Sequence, residues 1–205
     1  EKRIRNTGDV TVNYENKLFN DRLTFNILLG GSQEQYKRSW YSFTRNDLLD
    51  PSLWAVNGAI GETSSDGHIT DWAMHSYFAR INYDYQGKYL FEANIRADAS
   101  SRFAEGHRWG YFPSFSGAWR ISEEEFMVNV RDWLSNLKIR ASWGQLGNQD
   151  ALTGTENDYY PAINSYNLDG KYPFGGSLNT GYYKKKHRLA TISWEKATTW
   201  GVGLD

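Results

Sequence analysis

Between residues 77 and 97 the chain alternates strictly. Tyr77, Ala79, Ile81, Tyr83 and Tyr85 are separated by Phe78, Arg80, Asn82 and Asp84; after Gln86-Gly87-Lys88, Tyr89, Phe91, Ala93, Ile95 and Ala97 are separated by Leu90, Glu92, Asn94 and Arg96. A period of two is the mark of a β-strand, because successive side chains point to opposite faces. Odd positions are aromatic or aliphatic and even positions mostly charged or amide, so the sheet has one apolar and one charged face. Few environments sustain such a division for so long.

The same pattern sets the hairpin register. A two-residue loop would put Tyr85 opposite Leu90 and mix the faces, whereas three loop residues pair Tyr85 with Tyr89 and keep them apart. A three-residue loop with Gly87 at its centre is therefore expected. Earlier in the chain the parity changes: Val10, Val12 and Tyr14 are even, while Leu23, Phe25, Ile27 and Leu29 are odd. A two-residue turn at Asn20-Asp21 satisfies that arithmetic.

Seven strands are expected, near residues 8–18, 23–33, 73–85, 89–100, 109–121, 137–146 and 196–205. In the fifth, Phe115, Gly117, Trp119 and Ile121 oppose Ser114, Ser116, Ala118 and Arg120; in the sixth, Leu137, Ile139, Ala141 and Trp143 oppose Lys138, Arg140 and Ser142. The connections alternate in length. Those at 20–21 and 86–88 are short and 122–136 is moderate, while 34–72 and 147–195 are very long and 101–108 lies at the same end. An up-and-down sheet with tight turns at one end and loops at the other is the asymmetry of an outer-membrane barrel.

Composition narrows the choice. A net charge of −1 argues against a nucleic-acid binder, and the lack of cysteine excludes disulfide scaffolds and thiolate metal sites. Mean hydropathy is −0.69 and no run of about 18 apolar residues occurs, which excludes a transmembrane helix but not transmembrane strands with one apolar face. From Tyr77 to Tyr85 a strand rises roughly 27 Å, or about 20 Å along a membrane normal at a tilt near 40°, close to a lipid-facing band of about 25 Å. Tyr83, Tyr85 and Tyr89 would form a lower aromatic girdle, and Trp72, Trp109 and Tyr111 an upper one. Seven strands leave two edges open, which hydrocarbon does not tolerate, so a section of wall from a larger barrel is expected. The chain starts at Glu1-Lys2-Arg3-Ile4 without a signal peptide and begins and ends in strand-like text, as a piece of something longer would.

Four segments resemble, in order, the SusC/RagA family of TonB-dependent outer-membrane transporters. They are Ser76-Tyr77-Phe78-Ala79-Arg80-Ile81-Asn82-Tyr83 with Gly87-Lys88-Tyr89-Leu90 and Arg96-Ala97-Asp98-Ala99-Ser100-Ser101-Arg102-Phe103; Gly110-Tyr111-Phe112-Pro113-Ser114-Phe115-Ser116-Gly117-Ala118-Trp119-Arg120-Ile121-Ser122; Leu137-Lys138-Ile139-Arg140-Ala141-Ser142-Trp143-Gly144-Gln145-Leu146-Gly147-Asn148; and Ile192-Ser193-Trp194-Glu195-Lys196-Ala197-Thr198 through Gly201-Val202-Gly203-Leu204-Asp205. Ala99 departs from the family's usual Gly and Trp143 from its commoner Tyr. Residues 1–75 fit in pattern only.

The resemblance implies an all-β fold in which residues 1–205 are part of the C-terminal half of a large antiparallel transmembrane barrel, with long extracellular loops, short periplasmic turns and no plug domain in this chain. It implies a bacterial outer-membrane location and energised import of a large nutrient, an oligosaccharide or a peptide. The implied partners are a SusD-like surface lipoprotein, outer-membrane lipid, and TonB, ExbB and ExbD acting through regions absent from this chain. No cofactor is implied.

The residues themselves suggest mostly structural roles. Asp98, Ser100, Ser101 and Arg102 sit where a strand leaves the sheet and suit loop anchoring. Pro113 marks a strand start, an edge or a bulge. Ser122 and Glu125 read as the capping box of a short helix. Arg80, Asp84, Glu92, Arg96, Asp98, Arg120, Lys138 and Arg140 share the even face, where they line a lumen, with a mixed-sign solvated face as the alternative. Trp40, Tyr41 and Trp54 in one loop, and Tyr159, Tyr160, Tyr166 and Tyr172 in another, are candidates for stacking on substrate, with loop packing as the alternative.

Catalysis finds little support. His68, His75, His107 and His187 lack metal-ligand spacing, and no nucleophile elbow, phosphate loop or zinc motif occurs. Asp150, Glu156 and Asp158 are candidates for a loop Ca²⁺ but lack an ordered ligand pattern, which favours a solvated acidic loop. Lys184-Lys185-Lys186-His187-Arg188 is a basic run that suits anionic lipid, a partner or solvent. The rival folds are a soluble carbohydrate-binding β-sandwich and a passive porin-like barrel.

Overall fold

The structure, a computed structural model, describes residues 1–50, 52, 55–130, 132–150, 159–186 and 190–205. Seven strands make one antiparallel sheet in the order β1-β2-β3-β4-β5-β6-β9. They are β1 (Lys2–Leu18), β2 (Leu23–Arg45), β3 (Thr63–Tyr85), β4 (Tyr89–Ser100), β5 (Trp109–Arg120), β6 (Lys138–Asn148) and β9 (Glu195–Leu204). Between β6 and β9 the chain forms a separate hairpin of β7 (Ser165–Phe174) and β8 (Ser177–Lys186).

The two expected registers hold. Tyr85 pairs with Tyr89, Tyr83 with Phe91 and Arg80 with Asn94, so like faces stay together. Gln86 and Gly87 take positive φ (55° and 66°), and the Lys88 amide donates to the Tyr85 carbonyl at 3.0 Å. In the first hairpin Val12 pairs with Leu29 and Tyr14 with Ile27. The ladder ends at Leu18 opposite Leu23, and Phe19, Asn20 and Asp21 all have positive φ (54°, 56° and 63°), so the connection keeps the expected register but is one residue wider on each side than a two-residue turn.

Three strands are longer than expected. β1 starts at Lys2 rather than near residue 8, β2 continues past 33 to Arg45, and β3 starts at Thr63 rather than 73. The segment 34–72 is therefore mostly paired strand, and its pairing with β3 is unbroken from Leu23 opposite Tyr85 to Arg45 opposite Thr63. A strand of 23 residues rises about 75 Å, more than twice the height of a lipid-facing band at any ordinary tilt. Its upper part carries Gln33, Gln35, Lys37 and Ser39 on one side and Glu34, Tyr36 and Arg38 on the other. With polar side chains on both sides there is no apolar face and hence no alternation to read.

The turn end also differs in detail. Ile121–Glu123 and Glu125–Val130 are short 3-10 turns, and no side chain caps the first. Ser122 lies buried inside the first turn, where its amide donates to the Leu137 carbonyl at 3.2 Å, so it is not an N-cap and no capping box forms. Pro113 pairs with Ile95 of β4, while pairing of β5 with β6 begins at Ser114, so the proline stands at a local edge.

No second sheet covers the odd face among the described residues: Tyr77 is 61% exposed, Ile95 49% and Phe115 45%. A sandwich needs that face packed against another sheet, so the sandwich is not this fold. The small buried core lies at the loop end instead. It consists of Phe103, Phe112, Ala162, Ile192 and Trp194, with Met74 and Ala104 packed against it. The Trp194 ring sits 5.4 Å from both Phe103 and Phe112, and its Nε1 donates to the Arg108 carbonyl at 2.8 Å. A Cβ on Gly147 would fall 2.0 Å from Phe112 Cζ, and one on Gly110 2.5 Å from it, so both glycines make room for that ring.

Candidate functional site on the charged face

All eight charged residues expected on one face are found there. Register places Arg80 beside Asn94, Asp84 beside Leu90, Glu92 beside Ser116, Arg96 beside Phe112, Asp98 beside Gly110, Arg140 beside Ala118 and Lys138 beside Arg120, all even positions. This face is hollowed into two adjoining troughs. One, of about 560 Å³, runs from Thr24 and Asn26 across Asp84 and Glu92 to Lys138, Arg140 and Gly203. The other, of about 510 Å³, lies toward the loops between Arg96, Asp98, Phe112 and Gly147.

The charges are mostly partnered locally. Arg96 Nε donates to both Asp98 oxygens at 2.8 and 2.9 Å, and its Nη2 donates to Ser76 Oγ at 3.0 Å. Asp98 is 6% exposed, so this pairing and hydrogen bonding is what makes its burial tolerable. Asp84 accepts from the Gly87 amide at 2.7 Å, and Glu92 from Asn94 at 2.7 Å. Lys138 and Arg140 reach Asp205 at 2.7 and 3.4 Å, and Arg120 approaches the Gly87 carbonyl at 3.5 Å. Arg80 is exposed between Leu28 and Asn94 with no ion pair among the described residues.

On the opposite face the aromatics stack in pairs: Tyr77 with Trp109 at 6.0 Å, Phe115 with Trp143 at 6.0 Å, and Tyr89 with Trp119 at 6.4 Å. At the turn end Glu124 accepts from Tyr89 Oη at 2.7 Å, Trp119 Nε1 at 3.0 Å and Lys88 Nζ at 3.3 Å. Those donors, Tyr89 foremost, hold its carboxyl below the usual carboxylate range. One girdle residue is corrected. Trp72 pairs with Tyr36 and stacks on it at 5.8 Å on the even face, so Tyr77 joins Trp109 and Tyr111 on the odd face in its place.

The loop candidates fall into three groups. Trp40 and Tyr41 lie on β2, Trp40 against His68 at 5.5 Å and Tyr41 exposed opposite Gly67. Tyr159 belongs to a clamp around Arg102, which is 4% exposed, and Tyr160 is tied to the neighbouring Ser101. Arg102 pairs with Asp150, donates to the Tyr159 carbonyl at 3.2 Å and lies 5.2 Å over the Tyr159 ring. The Tyr160 hydroxyl donates to the Asp71 carbonyl and lies 3.3 Å from Ser101 Oγ. Tyr166 and Tyr172 are on β7, where Tyr166 meets Tyr182 edge-on at 5.6 Å. Trp54, Glu156, Asp158, His187 and Arg188 lie outside the described residues.

No family model matches the sequence. The chain is 35% identical over 191 residues to the TonB-dependent receptor SusC of Bacteroides thetaiotaomicron, covering 88% of the chain and 17% of that protein. It is 34% identical over 198 residues to the TonB-dependent receptor P39 of Formosa agariphila, covering 93% of the chain and 17% of that protein. In structure it superposes on the RagAB peptide importer in its closed-closed state with a TM-score of 0.80 at 21% identity, covering 98% of the chain and 21% of that chain. The chain belongs to the TonB-dependent receptors of the SusC/RagA family. It spans 17% of the length of the two curated relatives named.

Such receptors are not enzymes, and the quoted motifs of this receptor segment have physical explanations other than catalysis. Arg96 through Phe103 delivers the Arg96–Asp98 pair, the Ser101 seat for β3 and the Arg102 clamp. The Ser101 amide donates to the Ala73 carbonyl at 2.9 Å, and its Oγ accepts from the Ala73 amide at 3.0 Å. Two features escaped the sequence reading. The first is Phe112, an apolar side chain at an even position, whose signal was the pair Gly110 and Gly147. The second is Glu124, whose three donors come from two places, the adjoining Lys88 and Tyr89 at the start of β4 and Trp119 at the end of β5.

Proposed function

We propose that the chain forms part of the wall of an outer-membrane transporter that imports a large nutrient, an oligosaccharide or a peptide, together with a SusD-like surface lipoprotein. In this reading the odd face meets lipid, the even face lines the lumen and meets the plug, and the loop end meets substrate and lipoprotein. TonB, ExbB and ExbD energise import through regions outside this chain, and neither a cofactor nor nucleic acid is involved.

The observation that carries this is the division of a single sheet into an exposed apolar face and a hollowed charged face. Water on both sides would strand the aromatic pairs Tyr77–Trp109 and Phe115–Trp143, and lipid on both sides would strand Arg80, Glu92 and Arg140. A barrel wall satisfies both. Membership of the TonB-dependent receptors supports energy coupling over a passive porin.

The test is uptake of labelled oligosaccharides and peptides by cells carrying or lacking the full-length gene, with and without TonB. Uptake that needs both the gene and TonB is expected. Uptake that persists without TonB would point to the passive barrel.

A further inference from the structure

Gly170 of β7 and Gly181 of β8 stand directly opposite each other in the hairpin ladder, and each lies under a tyrosine ring. A Cβ on Gly181 would fall 2.9 Å from Cδ1 and 3.0 Å from Cε1 of Tyr172, and one on Gly170 would fall 3.3 Å from Cδ1 of Tyr183. Tyr172 is two residues from Gly170 and Tyr183 two residues from Gly181, so both rings share the face of the glycine pair. Each ring leans across the ladder over the opposite strand, where a side chain in place of glycine would prop it up. Tyr172 is 50% exposed and Tyr183 51%, as rings that rest on backbone below and are open above would be.

The surroundings of the rings are fixed. Tyr183 Oη accepts from Asn167 Nδ2 at 2.7 Å, and Asn179, opposite Tyr172, donates from Nδ2 to the Phe174 and Ser177 carbonyls at 3.0 and 3.4 Å. Gly175 and Gly176 take positive φ (62° and 79°) and close the hairpin in a two-residue turn, with exposed Phe174 extending the tyrosine face to its tip. Lys171, Tyr182 and Lys184 alternate with the two tyrosines and so lie on the other face. An uncharged aromatic surface edged by amides matches a pyranose sugar, whose C–H face stacks on a ring and whose hydroxyls bond amides and phenols. A peptide is held by side-chain pockets or an aromatic groove, and an acidic sugar by cations, neither of which this pattern supplies.

We propose that the face of the β7–β8 hairpin bearing Tyr172 and Tyr183 is a stacking platform for uncharged oligosaccharides. Sugar rings lie on the two tyrosines, and Asn167 and Asn179 meet hydroxyls at either end. The inference rests on the reading above that the loop end meets the nutrient, and it narrows that nutrient to a neutral glycan.

The test uses the full-length receptor in detergent, titrated calorimetrically with gluco-, manno-, xylo- and galacto-hexasaccharides beside hexagalacturonate and a proline-rich decapeptide. A neutral hexasaccharide should bind and should shield Tyr172 and Tyr183 from hydroxyl-radical labelling in the unaltered receptor. Tyr172→Leu, Tyr183→Leu and Gly181→Val should each weaken binding by about tenfold, and Tyr172→Phe should keep it within about threefold. Lys171→Ser and Tyr182→Leu, on the other face, should leave it within about twofold. Failure of every neutral hexasaccharide to bind, binding that leaves both tyrosines labelled, or unchanged affinity in the leucine variants would overturn the proposal. So would tighter binding of hexagalacturonate or the decapeptide at the same tyrosines. Uptake of the bound hexasaccharide by cells lacking TonB would instead overturn the transport reading and leave the platform standing.

Discussion

The lower and upper halves of the β2–β3 hairpin share one unbroken hydrogen-bond register yet have different surfaces. Below, Phe25, Ile27 and Leu29 lie beside Tyr83, Ile81 and Ala79. Above, Gln35 and Lys37 lie beside Ala73 and Asp71 on the same face. Backbone pairing alone holds both halves, so alternation is not a property of the strand. It records what the strand faces, and its disappearance near residue 33 locates the top of the apolar band.

The sharpest way to break that comparison is to place a charge on the odd face of each half. Ile81→Arg sits between the aromatic girdles and should cost about 2–4 kcal/mol, the usual penalty for Arg near the bilayer midplane. Gln35→Arg should cost less than about 0.5 kcal/mol, as an exposed polar substitution does. Denaturant titration of the full-length receptor refolded into lipid measures both. Equal effects would mean that the two halves face the same medium.

A second contrast lies at the loop end, where Arg102 is buried while the side chain of its partner Asp150 is 71% exposed. A pair with one wet member is worth less than a fully buried one, so the loss in Arg102→Met should be about 2 kcal/mol rather than the larger cost of breaking a dry pair. Hydrogen exchange should quicken at residues 159–164 and leave the β3–β4 ladder unchanged. Quickening along β3 as well would show that the clamp supports the wall and not only the loop.

Packing supplies a smaller effect. Gly147→Ala places its methyl group where the Phe112 ring lies and should cost about 1–2 kcal/mol. Adding Phe112→Leu should recover part of it, and thermal unfolding of the single and double variants measures the coupling. Independent, additive losses would show that the ring simply moves aside.

These sites also show what the sequence could and could not disclose. The faces and registers around residues 77–97 were legible because period-two alternation with a fixed loop length admits a single pairing. Trp72 was misplaced because an aromatic near a strand end resembles a girdle residue, and only the continuous register through Thr63 shows its parity. Phe112 was overlooked for the converse reason, an apolar residue on a face read as polar. Ser122 matched a capping box, but the chain there makes 3-10 turns too short to use one. Tyr159 and Tyr160 read equally well as binding or packing residues, and their contacts with Arg102, Asp71 and Ser101 appear only once loops distant in sequence meet.

The turn end offers the mildest test, and it sets one girdle against the other. At the loop end Tyr77 and Trp109 stack without a carboxylate between them, while at the turn end Glu124 gathers Tyr89, Trp119 and Lys88. The Glu124 carboxyl is held below its ordinary range by these donors. A group with a depressed folded pKa contributes stability that is present above its unfolded pKa and is lost as pH falls through the folded value. The receptor should therefore keep the turn-end girdle through neutral and mildly acidic pH and loosen it only below the ordinary carboxylate range. Glu124→Gln should remove that acid step while lowering stability slightly at neutral pH. The emission of Trp119 across a pH series, compared between the two proteins, measures this. An acid step of the same size in Glu124→Gln would assign the titration to another carboxylate, of which Asp205 beside Lys138 is the nearest analogue at this end of the sheet.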